Sequence, residues 1–178
     1  MTHIKVPQDR IGVIIGPGGD TKKTIEEKSE ATIDIDSESG MVEVIPGEDP
    51  VKAMRAADII HAIARGFNPE KVLDMFDDEM LIFDFIDISQ FAGTQKEMKR
   101  LKGRIIGKDG KARATIETLT GVKISIYGKT VSMIGYPEQI QIARSGFDML
   151  IKGVDHGSVF SFLEKKRRDI QHLEFGFS

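Results

Sequence analysis

The chain has 178 residues, 40% of them hydrophobic and 30% charged, with no Cys, no Trp and a formal net charge of −3. That composition suits one or two small globular domains and excludes collagen, disulfide scaffolds, thiolate metal centres and cysteine nucleophiles. Charge breaks every apolar run well short of the ~18 residues of a membrane span, and the first thirty residues lack the apolar stretch of a signal peptide, so the expectation is a soluble, cytoplasmic protein.

In chain order, residues 3–6 read as extended, followed by a short helix that stops at Gly16-Pro17-Gly18-Gly19 and a second that begins just past it. Residues 32–36 and 41–45 alternate apolar with polar, and Ser37 to Gly40 between them predicts a β-hairpin. Pro50 takes the first position of a helix whose stripe is Ala53, Ala57, Ile60 and Ile63. An extra helix is expected over 69–76. Asp77-Asp78-Glu79 then reads as a solvated linker rather than a metal-binding cluster. The order starts again with an extended run over 81–88 and a helix into Gly107-Lys108-Asp109-Gly110. Val122, Ile124 and Ile126 alternate, Gly128-Lys129 makes the turn, and Val131 and Met133 return. Pro137 opens a helix with the stripe Ile140, Ala143, Phe147 and Leu150, and a last helix is expected over 154–165. Beyond it Leu173, Phe175 and Phe177 alternate, as in a segment packed on its own domain.

The two halves are copies. Ile11-Gly12-Val13-Ile14-Ile15-Gly16 recurs as Lys102-Gly103-Arg104-Ile105-Ile106-Gly107 at an offset of 91, which also pairs Ile25 with Ile116, Ile33 with Ile124 and Ile35 with Ile126. After the shorter second hairpin the offset is 87, pairing Pro50 with Pro137, Ile60 with Phe147, Gly66 with Gly153 and Val72 with Val159. The copies differ in charge: residues 1–87 carry a net of −10 and residues 88–178 a net of +7. Halves of opposite sign point to different partners, and the basic half is the candidate for a polyanion.

A Gly-x-x-Gly link between helices lets backbone approach a ligand without a Cβ and offers the N–H groups of the next helix to phosphates, although as a bare pattern it is also a structural turn. Here each copy places Ile-Ile before the first glycine, an isoleucine six residues after the last, and then a helix and a hairpin. In that context Ile105-Ile106-Gly107-Lys108-Asp109-Gly110, with Ile116 and Gly121-Val122-Lys123-Ile124, resembles the signature of the KH family in its eukaryotic-type arrangement. Two tandem copies with little else resemble the archaeal members of its partner-of-Nob-one (Dim2-like) ribosome-assembly branch.

The resemblance implies an α+β fold of two type I KH domains, 1–79 and 80–178, each a three-stranded antiparallel sheet with helices on one face plus an extra C-terminal helix. It implies a groove for about four single-stranded nucleotides between the loop and the hairpin, with phosphates at the loop and bases on an aliphatic floor. It also implies a non-catalytic factor that holds the 3′ region of small-subunit ribosomal RNA and works with ribosome-assembly proteins such as an endonuclease, for which the first domain is one docking place.

The candidate RNA-binding residues are Lys102, Gly103, Arg104, Ile105, Ile106, Gly107, Lys108, Asp109, Gly110, Lys111, Arg113 and Lys123. Residues 96–113 carry a net of +6, while the comparable stretch 5–28 carries only +1. Ile15, Gly16, Pro17, Gly18, Gly19, Lys22 and Lys23 therefore form a secondary surface, for RNA or for protein. Lys22 and Arg113 depart from the apolar residue that many KH domains carry three positions after the loop. Lys165-Lys166-Arg167-Arg168 reads either as a phosphate contact or as dipole-matched charge near a helix end. The spacing of Gly103 and Gly107, with Asp109 after Lys108, excludes a nucleotide-binding P-loop. The four histidines (His3, His61, His156 and His172) lack metal-ligand spacing, so no metal, cofactor or nucleophile–base pair is expected. A protein-interaction scaffold with degenerate KH folds is the alternative to RNA binding, and an RNA-processing enzyme the third reading.

Overall fold

A computed structural model describes residues 1–174 and divides the chain into two compact units, one over Met1–Phe83 and one from Asp84 onward. In the first unit β1 (Thr2–Lys5), α1 (Gln8–Ile15), α2 (Asp20–Ser29), β2 (Thr32–Asp36), β3 (Met41–Ile45), α3 (Pro50–Ala64) and α4 (Pro69–Val72) follow in order, α4 continuing into a 3₁₀ turn at Leu73–Phe76. The second copy has β4 (Ile82–Asp87), α5 (Gln95–Ile106), α6 (Lys111–Thr120), β5 (Lys123–Tyr127), β6 (Thr130–Gly135), α7 (Pro137–Ile151) and α8 (His156–Glu174). The sheets have the same topology, β1-β3-β2 and β4-β6-β5, with the hairpin partners antiparallel. No described helix is long and apolar enough to cross a membrane.

Local chemistry starts the elements where the sequence places them. The Asp49 carboxylate accepts from the Val51 and Lys52 N–H groups ahead of a proline at the first helical position of α3, and Asn68 does the same for Glu70 in α4. Thr94 caps α5 through the Glu97 N–H, and the Gln139 side chain reaches back to the Tyr136 N–H at the start of α7. The offset pairs Ile25 and Ile116, and Ile33 and Ile124, are all buried. Each such side chain contributes about 1.5–3 kcal/mol relative to exposure.

The last helix is longer than its expected end at 165. Asp155 starts it by accepting from the Ser158 N–H at 2.9 Å and the Ser158 hydroxyl at 2.8 Å, bonds that hold its carboxyl below the usual carboxylate range. No glycine or proline occurs from Ser158 to Glu174, so nothing in the chain stops it. In the first copy the matching helix gives way to acidic residues at Asp77-Asp78, which oppose a helix C-terminus. Lys165-Lys166-Arg167-Arg168 consequently lies mid-helix rather than in a final turn. The side chain of Leu173 and the whole of Phe175 and Phe177 lie outside the described residues, with the expectation attached to them. Asp77-Asp78-Glu79 is tied down: Lys28 pairs with Asp77 at 3.8 Å, and the Arg55 guanidinium donates to the Glu79 and Leu81 carbonyls.

Candidate nucleic-acid interface

The two Gly-x-x-Gly turns have one backbone. Gly16 and Gly107 leave their helices at φ 76°, ψ 172° and φ 75°, ψ 173°, and each donates its N–H to the carbonyl four residues back. The third residue is left-handed in both, Gly18 at φ 60° and Asp109 at φ 57°, and Gly19 and Gly110 cap α2 and α6 in the same region. A Cβ on Gly107 would lie 2.5 Å from the Ala112 Cβ and 2.7 Å from its N, and one on Gly16 would lie 2.8 Å from the Thr21 N. Space as well as φ therefore demands glycine at the start of each loop.

The side chains on that shared backbone differ. Ile14 and Ile105 are fully buried, while Ile15 and Ile106 are half-buried at the turn. Lys108 in the second loop and Lys111 at the start of α6 are exposed where the first copy has Pro17 and Asp20, and half-buried Lys102 stands where Ile11 enters the core. Lys102, Lys108 and Lys111 make no ion pair with a described residue, so their charge is available to a ligand. Lys22 and Arg113 occupy matching places on α2 and α6. Arg113 is held 4.0 Å from Glu117, whose other carboxylate oxygen accepts from the Ile124 N–H at 3.1 Å on β5. Glu117 thus links Arg113 on α6 to the backbone of β5, the strand that also carries the half-buried aliphatic residue Ile126. Lys123, also half-buried, begins β5, and Lys23 is exposed on α2.

Arg104 does not join this set. Its guanidinium donates to the Leu150 carbonyl at 3.2 Å and the Val154 carbonyl at 2.6 Å, satisfying the end of α7. In the first copy Arg10, one helical turn earlier relative to the loop, does the same for Ile63 and Phe67 at 2.9 Å each. Ile63 matches Leu150 and Phe67 matches Val154 at the offset of 87, so two arginines out of register serve equivalent carbonyls. The Arg104 side chain thereby locks α5 to the end of α7, with two of its five N–H donors engaged.

A family profile described as eukaryotic-type KH domain (KH-domain type I), drawn for the second domain of PNO1, matches residues 82–168, and the KH domain profile matches residues 1–62. The crystal structure of Dim2p from Pyrococcus horikoshii superposes with a TM-score of 0.85 at 41% identity, covering 92% of this chain and 98% of that one. The chain belongs to the KH family, on its Dim2/PNO1 branch. The same Pyrococcus protein solved in a complex of a/eIF2alpha, aDim2p and rRNA gives a TM-score of 0.87 at 40% identity over 94% of each chain. A KH domain-containing protein of Methanocaldococcus jannaschii is 42% identical over 97% of this chain and 76% of its own length. The pre-rRNA-processing protein PNO1 of Chaetomium thermophilum is 34% identical over 60% of this chain, which spans less than half of that relative, 42%.

Sequence reasoning missed the brace between the second helix and the hairpin of each domain. Glu26 accepts from the Ile33 N–H at 3.0 Å as Glu117 does from Ile124, and the hydroxyls of Ser29 and Thr120 accept from Ala31 and Val122. Glu26 and Glu117 are paired by the same offset of 91, the signal that was available. Both lie on charged helices beside the loops, which draws the eye to net charge rather than to bracing.

Proposed function

We propose that this chain holds a single strand of ribosomal RNA during small-subunit maturation, without cutting it. The observation that carries this reading is the contrast on one backbone: Lys102, Lys108 and Lys111, on the second loop and the helices flanking it, replace Ile11, Pro17 and Asp20 of the first copy. The second groove then takes about four nucleotides, with Lys108, Lys111, Arg113 and the Gly107–Gly110 backbone along the phosphates and Ile106 and Ile126 under the bases. Lys102 and Lys123 flank that path. The names of the relatives, a pre-rRNA-processing protein and a Dim2p solved with rRNA, support ribosomal RNA as the ligand. The finer assignment to the 3′ region of small-subunit RNA follows the family resemblance.

The first domain, net acidic and with Pro17 and Gly18 in its loop, serves as a protein-docking or architectural unit, with Lys22 and Lys23 as secondary contacts. The neighbouring complex with a/eIF2alpha supports protein partners for such a factor, and an endonuclease that does the cutting is part of the proposal. Cytoplasmic action belongs to it as well.

Titrating the full chain with single-stranded RNA at a series of salt concentrations tests the reading. Four phosphates at about 0.7 each predict a log–log slope near −3. A flat dependence, with a nuclease-insensitive protein complex instead, would establish the scaffold alternative.

A further inference from the structure

Behind the second loop, on the side of α6 that faces α8, is a hollow of about 330 Å³ lined by Lys108, Lys111, Ala112, Thr115, His156 and Phe160. Its volume is at the low end of small-ligand sites, about 300 Å³. His156 and Phe160 lie one turn apart on α8 with ring centroids 5.9 Å apart and planes tilted by 58°, both half-buried. The His156 ring is held in place: its Nε2 donates to the Arg104 carbonyl at 2.8 Å, which also fixes the proton on that nitrogen. Arg104 thus ties α5 to the α7–α8 corner through both its guanidinium and its carbonyl, and sets the distance between the loop and the rings.

The first copy has none of this chemistry. At the matching positions Pro17 and Asp20 replace the two lysines, and Pro69 and Leu73 replace the two rings. Cations and aromatic faces therefore occur together, in the domain that carries the positive charge. Two lysines at the rim and two rings at the wall match a nucleotide, whose phosphate is anionic and whose base offers a flat face for stacking.

We propose that this hollow takes one further nucleobase of the bound strand, immediately outside the four-nucleotide groove, stacked against Phe160 and His156. The proposal rests on the reading of the second domain as the RNA binder. It makes α8, the helix added to the KH fold, part of the RNA site.

The test uses the full chain and an eight-nucleotide single strand from the 3′ end of small-subunit ribosomal RNA, with an abasic residue walked through every position. The expected result is that one position outside the contiguous four loses about tenfold in affinity when its base is removed, the range of one base–aromatic stack. In the His156→Gln/Phe160→Leu double variant that outer penalty falls to about twofold or less while the inner ones stay. Glutamine keeps an N–H for the Arg104 carbonyl, and leucine is what the first copy carries there. A 2-aminopurine at the outer position provides a readout that needs no variant: its fluorescence is quenched on binding to the wild-type chain. Binding with no base-dependent outer position and no quenching overturns the proposal and leaves the groove intact, as does an outer penalty that survives loss of both rings; an apolar side chain of a protein partner would then be the better occupant. Absence of any binding to the strand overturns the functional reading along with it.

Discussion

At the turn between their first two helices the two KH domains share φ and ψ to within 8° at the first, third and fourth loop residues and share almost no side-chain chemistry. The first turn is Gly-Pro-Gly-Gly followed by Asp20; the second is Gly-Lys-Asp-Gly followed by Lys111. A fold can therefore retain the loop geometry that lets backbone meet phosphate while the charge that makes the meeting favourable resides in one copy alone. Screening at physiological salt acts over ~8 Å, so cations on the loop itself count for more than the net charge of distant surfaces. In the proposed division of roles, the loop lysines and the local net of +6 around them set the difference, and the net of −10 over residues 1–87 reinforces it.

The largest effect that would probe this comparison comes from the glycines, where the domains are alike. Gly107→Ala forces a Cβ against the Ala112 backbone at a left-handed φ and should cost the second domain about 3 kcal/mol or more, abolishing RNA binding. Gly16→Ala should destabilise the first domain comparably and leave RNA affinity largely in place; thermal unfolding and RNA titration of both variants read the pair.

Arg104→Ala comes next. It leaves two carbonyls at the end of α7 without their donor and should lower stability by about 2 kcal/mol, as Arg10→Ala should in the first domain. Equal losses in denaturant melts of the two variants would establish that out-of-register arginines do one job.

A smaller contrast lies in pH. Burial, with the Arg65 charge second, holds the His61 imidazole below its usual value, so the unfolded chain binds more protons than the folded one in the window below about 6.5. The stability His61 contributes is present above that value and is lost as pH falls through the lower, folded value. Asp58, raised by burial against the weaker pull of Arg55, works in the opposite sense and in a separate window, its contribution being lost as pH rises from about 4. Melting temperatures between pH 7.5 and 5.5 should fall for the wild type and fall less for His61→Gln.

The smallest expected effect is a gain. Glu30 ends α2 at φ 59°, where the second copy has Gly121 at φ 79°. Glu30→Gly should stabilise the first domain by about 0.5–1 kcal/mol, relief of left-handed strain exceeding the added chain entropy, as read by chemical denaturation.

Much of this was legible in the chain. The offset of 91 located both loops, both hairpins and the paired core isoleucines, because those depend on local period and on glycine, whose signals are short-range. The arginine clamps were not legible: a guanidinium reaches across 46 to 57 residues of sequence, and the two arginines do not align. Nor was the length of α8, since an exposed, highly charged helix has a weak apolar stripe and is delimited only by the absence of breakers. His156 and Phe160 each passed as ordinary residues until α8 brought them against the loop.

The central statement, that the second loop carries the RNA site, is tested most directly by charge reversal on the full chain. Lys108 is exposed and makes no ion pair with a described residue, so Lys108→Asp should change stability by about 0.5 kcal/mol or less. It removes one phosphate contact and adds repulsion at the next, so RNA affinity should fall about tenfold, or 1.4 kcal/mol. The first-domain counterpart, Pro17→Asp with Gly18→Asp, should change RNA affinity by about twofold or less, under 0.5 kcal/mol. Undiminished RNA binding by a folded Lys108→Asp chain, or an equal loss in the first-domain variant, would contradict the division of roles between the two domains.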